Sequence, residues 1–390
     1  VRTIAVVTTS RADYGHLIWP LRDLRASEGI DLRIIALGAQ MSPEFGETYR
    51  ELERDGFEID HKIECLLSSD TDVGMAKTIG LATLSLADIL GEMRPDILLL
   101  IADRYEMLAP AAVALSLRIP IAHIEGGEVS EGAIDQAVRD SLTKMSHVHF
   151  VPTETSRQRV IEMGEEPWRV HRTGAPSIDH LKRSERPGKR EVEEAIGLSL
   201  EVPPVVVAFH PVTLDIDTTT EAVPFFEAIE TIDRPIVFCF PNPDSGSHGI
   251  LERAQAFCSR RDDRKLCVNL PHLTYWSLLE NAAAIVGNSS SGIMEAPSLQ
   301  LPTVNVGRRQ QGRERTPGVI DAPAETGAII EAIERALRPE FRVGLDGMRS
   351  PYGEGDAGKR IATILARLPL GSGLLEKRCR QPLTTFEVDG

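Results

Sequence analysis

Short, almost continuous apolar runs alternate along this chain with longer segments in which apolar residues recur every three or four positions. The first series of runs comprises Thr3–Thr9, Leu32–Gly38, Asp96–Ile101, Pro120–Ile124 and His147–Val151. Strands without a polar face are covered on both sides, as in a parallel sheet with helices above and below. Tyr49–Phe57 and Ala76–Met93 carry a helical period in the intervals. The rhythm weakens over His180–Gly197, which is rich in charge and contains Pro187 and Gly188, and a domain boundary is placed there. A second series follows: Pro204–His210, Pro235–Phe240, Lys265–Leu270, Ala283–Gly287 and Pro302–Val306. Gly355–Leu368 predicts a last helix. The pattern therefore predicts an α/β protein of two doubly wound, Rossmann-like domains, residues 1–180 and 190–350, with a ligand cleft between them.

Composition narrows the class. A length of 390 residues suits two domains, and 42% hydrophobic residues can fill a core in each. The formal charge of -15 argues against nucleic acid as a partner, because that needs a basic face. It leaves room for a local basic pocket that takes a small anion. The 5 cysteines include no CxxC pair, so neither a disulfide framework nor a zinc site is suggested. Scattered thiols fit a reducing, cytoplasmic compartment. The opening VRTIAVVTTS is too short for a secretion signal and reads as a strand. No apolar run looks long enough to cross a bilayer, so no membrane partner is expected.

No GxGxxG or P-loop follows the first run, so a dinucleotide or ATP site is not supported. Ligands in open α/β sheets lie beyond the carboxyl ends of strands, which directs attention to the polar residues after each run. Ser10, Arg11, Asp13 and His16 follow the first. Ser10 or Asp13 can cap a helix, but an arginine at a strand end suits a phosphate or carboxylate. Asp103 and Arg104 follow Asp96–Ile101 and can equally pair with each other or cap a helix. The stretch His123–Asp140 carries Glu125, Glu128, Glu131, Asp135, Arg139 and Asp140. Its paired glycines, Gly126 and Gly127, allow the backbone to approach a ligand closely. Asp135 and Arg139 share a helical face, where an ion pair is the plain alternative. Glu125 directly continues an apolar strand, so burial and a raised pKa suit it to general acid or base catalysis. His210 ends a strand of the second series.

The stretch GNSSSGIMEAPS (Gly287–Ser298) predicts a strand end, a turn bearing Ser289, Ser290 and Ser291, and the start of a helix. Unpaired N–H groups at a helix start attract anions, and the hydroxyls add donors. Glu295, one turn on, suits a ribose diol. Together these predict a holder for a nucleoside diphosphate, against the plainer alternative of a serine N-cap. Arg308, Arg309, Arg313 and Arg315 follow the next strand and form a candidate diphosphate clamp, or else a solvated basic loop.

Several motifs give these clusters a family likeness: RADY (Arg11–Tyr14), the Asp103–Arg104 pair, HIEGGEVS (His123–Ser130) with GAID (Gly132–Asp135), TKMSHVHF (Thr143–Phe150), HPVT (His210–Thr213), GNSSSG (Gly287–Gly292) with Glu295, and the run from Pro302 to Arg313. In order and spacing, over nearly the whole chain, they resemble the hydrolysing UDP-N-acetylglucosamine 2-epimerases of sialic-acid and related nonulosonate pathways. The resemblance implies a GT-B arrangement whose last helix, near 355–370, crosses back to the first domain. It implies a reaction in which UDP leaves C1 as the C2 proton is removed; water then adds to the 2-acetamidoglucal, giving N-acetylmannosamine. No metal and no other cofactor is implied. By resemblance Asp103, Glu125, Asp135 and Arg139 fall at catalytic positions. Arg11, His16, Arg104, His210, Asn242, Ser289, Ser290, Glu295, Arg309 and Arg313 fall at positions that bind the substrate and its UDP. The partner is a nucleotide-sugar or phosphorylated-sugar small molecule, and a homodimer or homotetramer built on the first domain's helices is expected.

The chain departs from the family pattern in three places. Ala102 stands where a glycine is usual, Asp140 where a histidine is usual, and His16 where a lysine is common. These leave the UDP side intact and alter the sugar side. They keep open a repurposed GT-B enzyme that forms or cleaves a glycosidic bond, for example an N-glycosidic one, at the anomeric carbon of another sugar. A catalytically dead nucleotide-sugar binder is a third reading, against which the retained carboxylates argue.

Overall fold

The computed structural model describes residues 1–67, 71–130, 134–210, 221–240, 248–268 and 270–378. The chain divides into two compact units. One holds Val1–Glu128, Ala137–Pro176 and the chain from Asp356 on; the other holds Val129–Gln136 and Ser177–Gly355. The main division thus falls at Pro176, just ahead of the charged stretch. That stretch forms helices Asp179–Arg183 and Lys189–Ile196, the second opened by Gly188 N–H donating to Glu191 Oε2 at 2.7 Å.

The first unit is built on a parallel sheet of β1 (Arg2–Thr8), β2 (Ile30–Leu37), β3 (His61–Ile63), β4 (Ile97–Ile101), β5 (Ile121–Ile124), β6 (Val148–Val151) and β7 (Val170–Arg172), in the order β3-β2-β1-β4-β5-β6-β7. β4 and β5 are buried along their whole lengths, and His123 is the one polar residue in them. Helix Ala357–Arg367 packs on helix Arg11–Ala26, with Ile361, Ala362 and Leu365 in the first core. Gly358 is needed there, because a Cβ would lie 2.8 Å from Pro20 N. The Arg2 guanidinium fastens the end of the same helix through Leu365 O and, at 2.7 Å, Leu368 O.

Helix Asp72–Met93 corrects one expectation. By length and composition it is long and apolar enough to cross a membrane. Yet Gly74, Thr78, Ala82, Leu86 and Leu90 form a buried stripe at four-residue spacing, the mark of a helix lying on a sheet.

The second unit has a parallel sheet of β8 (Val205–Ala208), β9 (Ile236–Phe240), β10 (Arg264–Val268), β11 (Ala284–Gly287), β12 (Thr303–Val306) and β13 (Val319–Ala322), ordered β10-β9-β8-β11-β12-β13. In each sheet the order reverses once, between β1 and β4 and between β8 and β11. At such switch points the loops leave to opposite sides and open a crevice beyond the strand ends.

Candidate active site

The polar clusters collect at these two switch points. In the first unit, the turn after β1 is self-sufficient. Ser10 Oγ caps helix Arg11–Ala26 by accepting Asp13 N–H at 3.2 Å, while Asp13 accepts Thr9 N–H at 3.0 Å and Thr9 Oγ1 at 2.6 Å. Burial pushes the Asp13 carboxyl up from its ordinary value, against the pull of Arg104 and the Thr9 bonds. Ser10 and Asp13 thus serve the fold. Arg11 lies beside Glu51 at 3.3 Å, and His16 reaches Glu125, its Nδ1–H donating to Oε1 at 2.8 Å.

β4 and β5 are each followed by a left-handed residue, Ala102 (φ 55°) and Glu125 (φ 66°). The two turns are stitched together: Ala102 N–H donates to Ile124 O at 2.9 Å, and His123 Nε2–H donates to Ala102 O at 2.8 Å. Burial lowers the His123 pKa to about 4, so its ring is neutral and donates from one nitrogen only. Glu125, 6% exposed, is indeed buried. Asp103 and Arg104 do not pair with each other. Asp103 takes Arg139, whose side chain is 3% exposed, and Arg104 forms a fork on the fully buried Glu106 at 3.0 and 3.2 Å. Arg139 is therefore engaged with Asp103. Asp135 is the first residue of helix Asp135–Met145 and is partly exposed, as is Asp140.

The paired glycines serve packing. A Cβ at Gly127 (φ 75°) would lie 2.4 Å from Ser156 O and 2.7 Å from Val160 Cγ2, so the close approach is to helix Glu154–Glu162. Glu128 is buried and accepts from Ser156 Oγ at 2.5 Å. Glu131 and Asn242 lie outside the described residues.

In the second unit, Gly287 ends β11 at φ 144°, and a Cβ there would lie 2.0 Å from Ala208 O of β8. Only glycine lets these strand ends meet so closely. His210 follows β8, and burial, with the Arg309 charge second, lowers its pKa to about 3. It is neutral near pH 7 and brings a donor or acceptor but no charge. The fully buried Asn288 grips the backbone of His210 on both sides, at 2.7 and 2.8 Å. Its carbonyl accepts Arg309 Nη1 at 3.1 Å and Gln310 Nε2 at 2.9 Å.

The serine turn differs from expectation in one respect. It opens only a single turn, Ser291–Met294, which gives way to a 3-10 turn at Ala296–Leu299 because Pro297 cannot continue a helix. Ser290 makes no side-chain cap, and Ser291 N–H reaches Ser289 Oγ at 3.4 Å. The anion-attracting field of a long helix is absent, and the hydroxyls remain as donors. Glu295 is buried at the end of this turn. The four arginines have different surroundings. Arg309 faces the Asn288 carbonyl, Arg315 pairs with Asp321 at 3.1 Å, and Arg308 is exposed. Arg313 donates to Val129 O at 2.7 Å and to Met294 Sδ at 3.0 Å.

Glu106, His123, Asn288 and Gln310 were not singled out from sequence. His123, Asn288 and Gln310 lie within the motifs that carry the family likeness, and Glu106 does not.

The family model described as UDP-N-acetylglucosamine 2-epimerase matches residues 22–366. The chain is 36% identical over 344 residues to the GDP/UDP-N,N'-diacetylbacillosamine 2-epimerase (hydrolyzing) of Campylobacter jejuni, covering 87% of this chain and 89% of that protein. It is 35% identical over 379 residues to the UDP-N,N'-diacetylbacillosamine 2-epimerase (hydrolyzing) of Legionella pneumophila, covering 97% and 99%. Among solved structures, the UDP-GlcNAc 2-epimerase of Neisseria meningitidis bound to UDP-GlcNAc superposes with a TM-score of 0.78 at 20% identity, over 94% of this chain and all of that one. The two doubly wound sheets are those of the GT-B fold, and the chain belongs to the UDP-N-acetylglucosamine 2-epimerase family.

Proposed function

We propose that this protein is a hydrolysing 2-epimerase of a UDP-linked 2-acetamido sugar, and that the sugar is N,N'-diacetylbacillosamine. The observation that carries the chemistry is Glu125: a buried carboxylate, fixed at the carboxyl end of β5 and hydrogen-bonded on one oxygen by His16. A weakly acidic C2 proton needs a base of that kind. The names of the Campylobacter and Legionella relatives favour the diacetylated substrate.

Glu125 or Asp135 takes the C2 proton, and the electron pair forms the C1–C2 double bond. The C1–oxygen bond breaks, and UDP departs with its electrons. Water then adds its hydroxyl to C1, and a proton returns to the opposite face of C2. The products are UDP and the free 2-epimer. Asp103, held by Arg139, is the third carboxylate of the sugar side. On the nucleotide side, Arg309 supplies positive charge to the departing diphosphate, Ser289, Ser290 and neutral His210 supply uncharged donors, and Glu295 takes the ribose diol.

UDP-N-acetylglucosamine is the second reading, favoured by the family description and the Neisseria structure. NMR of each UDP-sugar incubated with the enzyme in D2O decides both points. The expected result is UDP release with deuterium at C2 of a manno-configured product, faster for the diacetylated sugar. A faster reaction of UDP-N-acetylglucosamine selects the second reading. UDP release from either sugar with no deuterium at C2 overturns the epimerase reading.

A further inference from the structure

The nucleotide-side residues of the second unit converge on one buried residue, Asn288, through both its side chain and its main chain. The Asn288 amide is both acceptor and donor to the same residue, taking His210 N–H at 2.7 Å on Oδ1 and giving its Nδ2–H to His210 O at 2.8 Å. Its backbone N–H donates to Ala208 O at 3.1 Å, lacing β11 to β8. Its main-chain carbonyl, held in place by the side-chain bonds to His210, receives Arg309 Nη1 and Gln310 Nε2 at 3.1 and 2.9 Å. Asn288 immediately precedes the serine turn.

We propose that Asn288 is the positioning residue of the UDP site, setting His210, Arg309 and the serine turn relative to one another without touching substrate. The proposal rests on the UDP-site reading above. An amide is needed because one side chain must both accept and donate at the backbone of His210. An aspartate offers only acceptors and would face the His210 carbonyl with a buried negative charge. Because the contacts it aligns serve the diphosphate, its loss should appear in nucleotide binding before it appears in the chemistry at C2.

The test compares wild type with Asn288→Asp by UDP titration calorimetry, thermal unfolding and steady-state kinetics. Gln310→Met, which removes one bond to the Asn288 carbonyl and fills the same volume, serves if the first variant folds poorly. Asn288→Asp is expected to weaken UDP binding at least tenfold and raise KM in step, with kcat changing less than about threefold. Gln310→Met should act in the same direction by about threefold. Combined with His210→Ala, Asn288→Asp should cost less binding than the two losses added, since both act through one group. Folded variants that bind UDP like wild type, or that lose kcat and keep KM, overturn the positioning role. A wild-type protein that does not bind UDP overturns the site reading itself.

Discussion

His16, on helix Arg11–Ala26, and Glu125, the residue after β5, share a hydrogen bond of 2.8 Å between Nδ1 and Oε1. The imidazole thereby fixes the orientation of the carboxylate proposed to handle the C2 proton. Glu125→Gln should leave UDP affinity near wild type while turnover falls by roughly a hundredfold or more, the scale of losing a positioned base. His16→Phe should lower kcat by about tenfold with a smaller change in KM. His16→Lys restores a donor and should recover most of that loss. Kinetics in which His16→Phe raises KM alone would place His16 in substrate binding instead.

Ala102 sits at φ 55°, a left-handed conformation that costs an L-residue with a Cβ about 1 kcal/mol and glycine nothing. The departure from the family's usual glycine is therefore a backbone matter. Ala102→Gly should raise stability by up to about 0.5 kcal/mol, since added freedom in the unfolded chain offsets part of the relieved strain. Thermal unfolding should show a small upward shift in Tm, and a clear drop would contradict this account.

The fold was legible where strands are covered on both faces. Every interior strand announced itself by an almost continuous apolar run. The strands missed, β3, β7 and β13, all lie at sheet edges. Their burial is broken, as in β13, where exposed and buried residues alternate, so no apolar run marks them. The candidate site was legible at strand ends, because ligands of open α/β sheets lie beyond the carboxyl ends of the strands. It was not legible where a role arises from a distant partner. Nothing near Glu106 in sequence shows that its carboxylate is buried, and Asn288 finds His210 across 78 positions. The abbreviated helix at the serine turn was foreshadowed by Pro297, a signal in plain sight.

Burial holds His123 and His147 down to about 4 and His210 to about 3, against an ordinary 6.5. Between pH 6.5 and about 4 the unfolded chain binds protons that the folded chain refuses. Stability is therefore full above pH 6.5 and is lost as pH falls through this window. Carboxylates with lowered values, such as Glu165, add their loss only below pH 4.5. His147 Nδ1 accepts Ile121 N–H at 3.0 Å, a bond that an asparagine oxygen can replace. His147→Asn should therefore reduce the slope of unfolding free energy between pH 5 and 6 by up to about 1.4 kcal/mol per pH unit. Denaturant titrations at several pH values measure it, and an unchanged slope would show that His147 is not one of the titrating groups.

The last described residues are strapped to the first unit by two cations. The Arg169 guanidinium is fully buried and donates to Leu374 O and Glu376 O at 2.7 Å each, to Gly373 O at 3.2 Å and to His147 O at 3.1 Å. Lys377 Nζ reaches Lys144 O at 2.8 Å and Ser146 O at 2.7 Å, at the end of helix Asp135–Met145, and meets Glu165 at 2.8 Å. Burial alone would raise the Glu165 pKa, but His149, Lys144 and Lys377 outweigh it and hold the carboxyl near 2. The helix capped in this way begins at Asp135 and carries Arg139, so the strap supports part of the proposed catalytic machinery from its far end. Arg169→Lys keeps the charge but cannot reproduce a fork that serves four carbonyls. Each buried carbonyl left unpaired costs about 1–3 kcal/mol, so this variant should lose several degrees in Tm. Trypsin should then cut between Arg367 and Arg378 well before the rest of the chain opens. Lys377→Met should loosen the strap less, since the guanidinium remains. If Arg169→Lys unfolds like wild type and its C-terminal segment resists trypsin equally, the strap is held by apolar packing of Leu374 and not by the buried guanidinium.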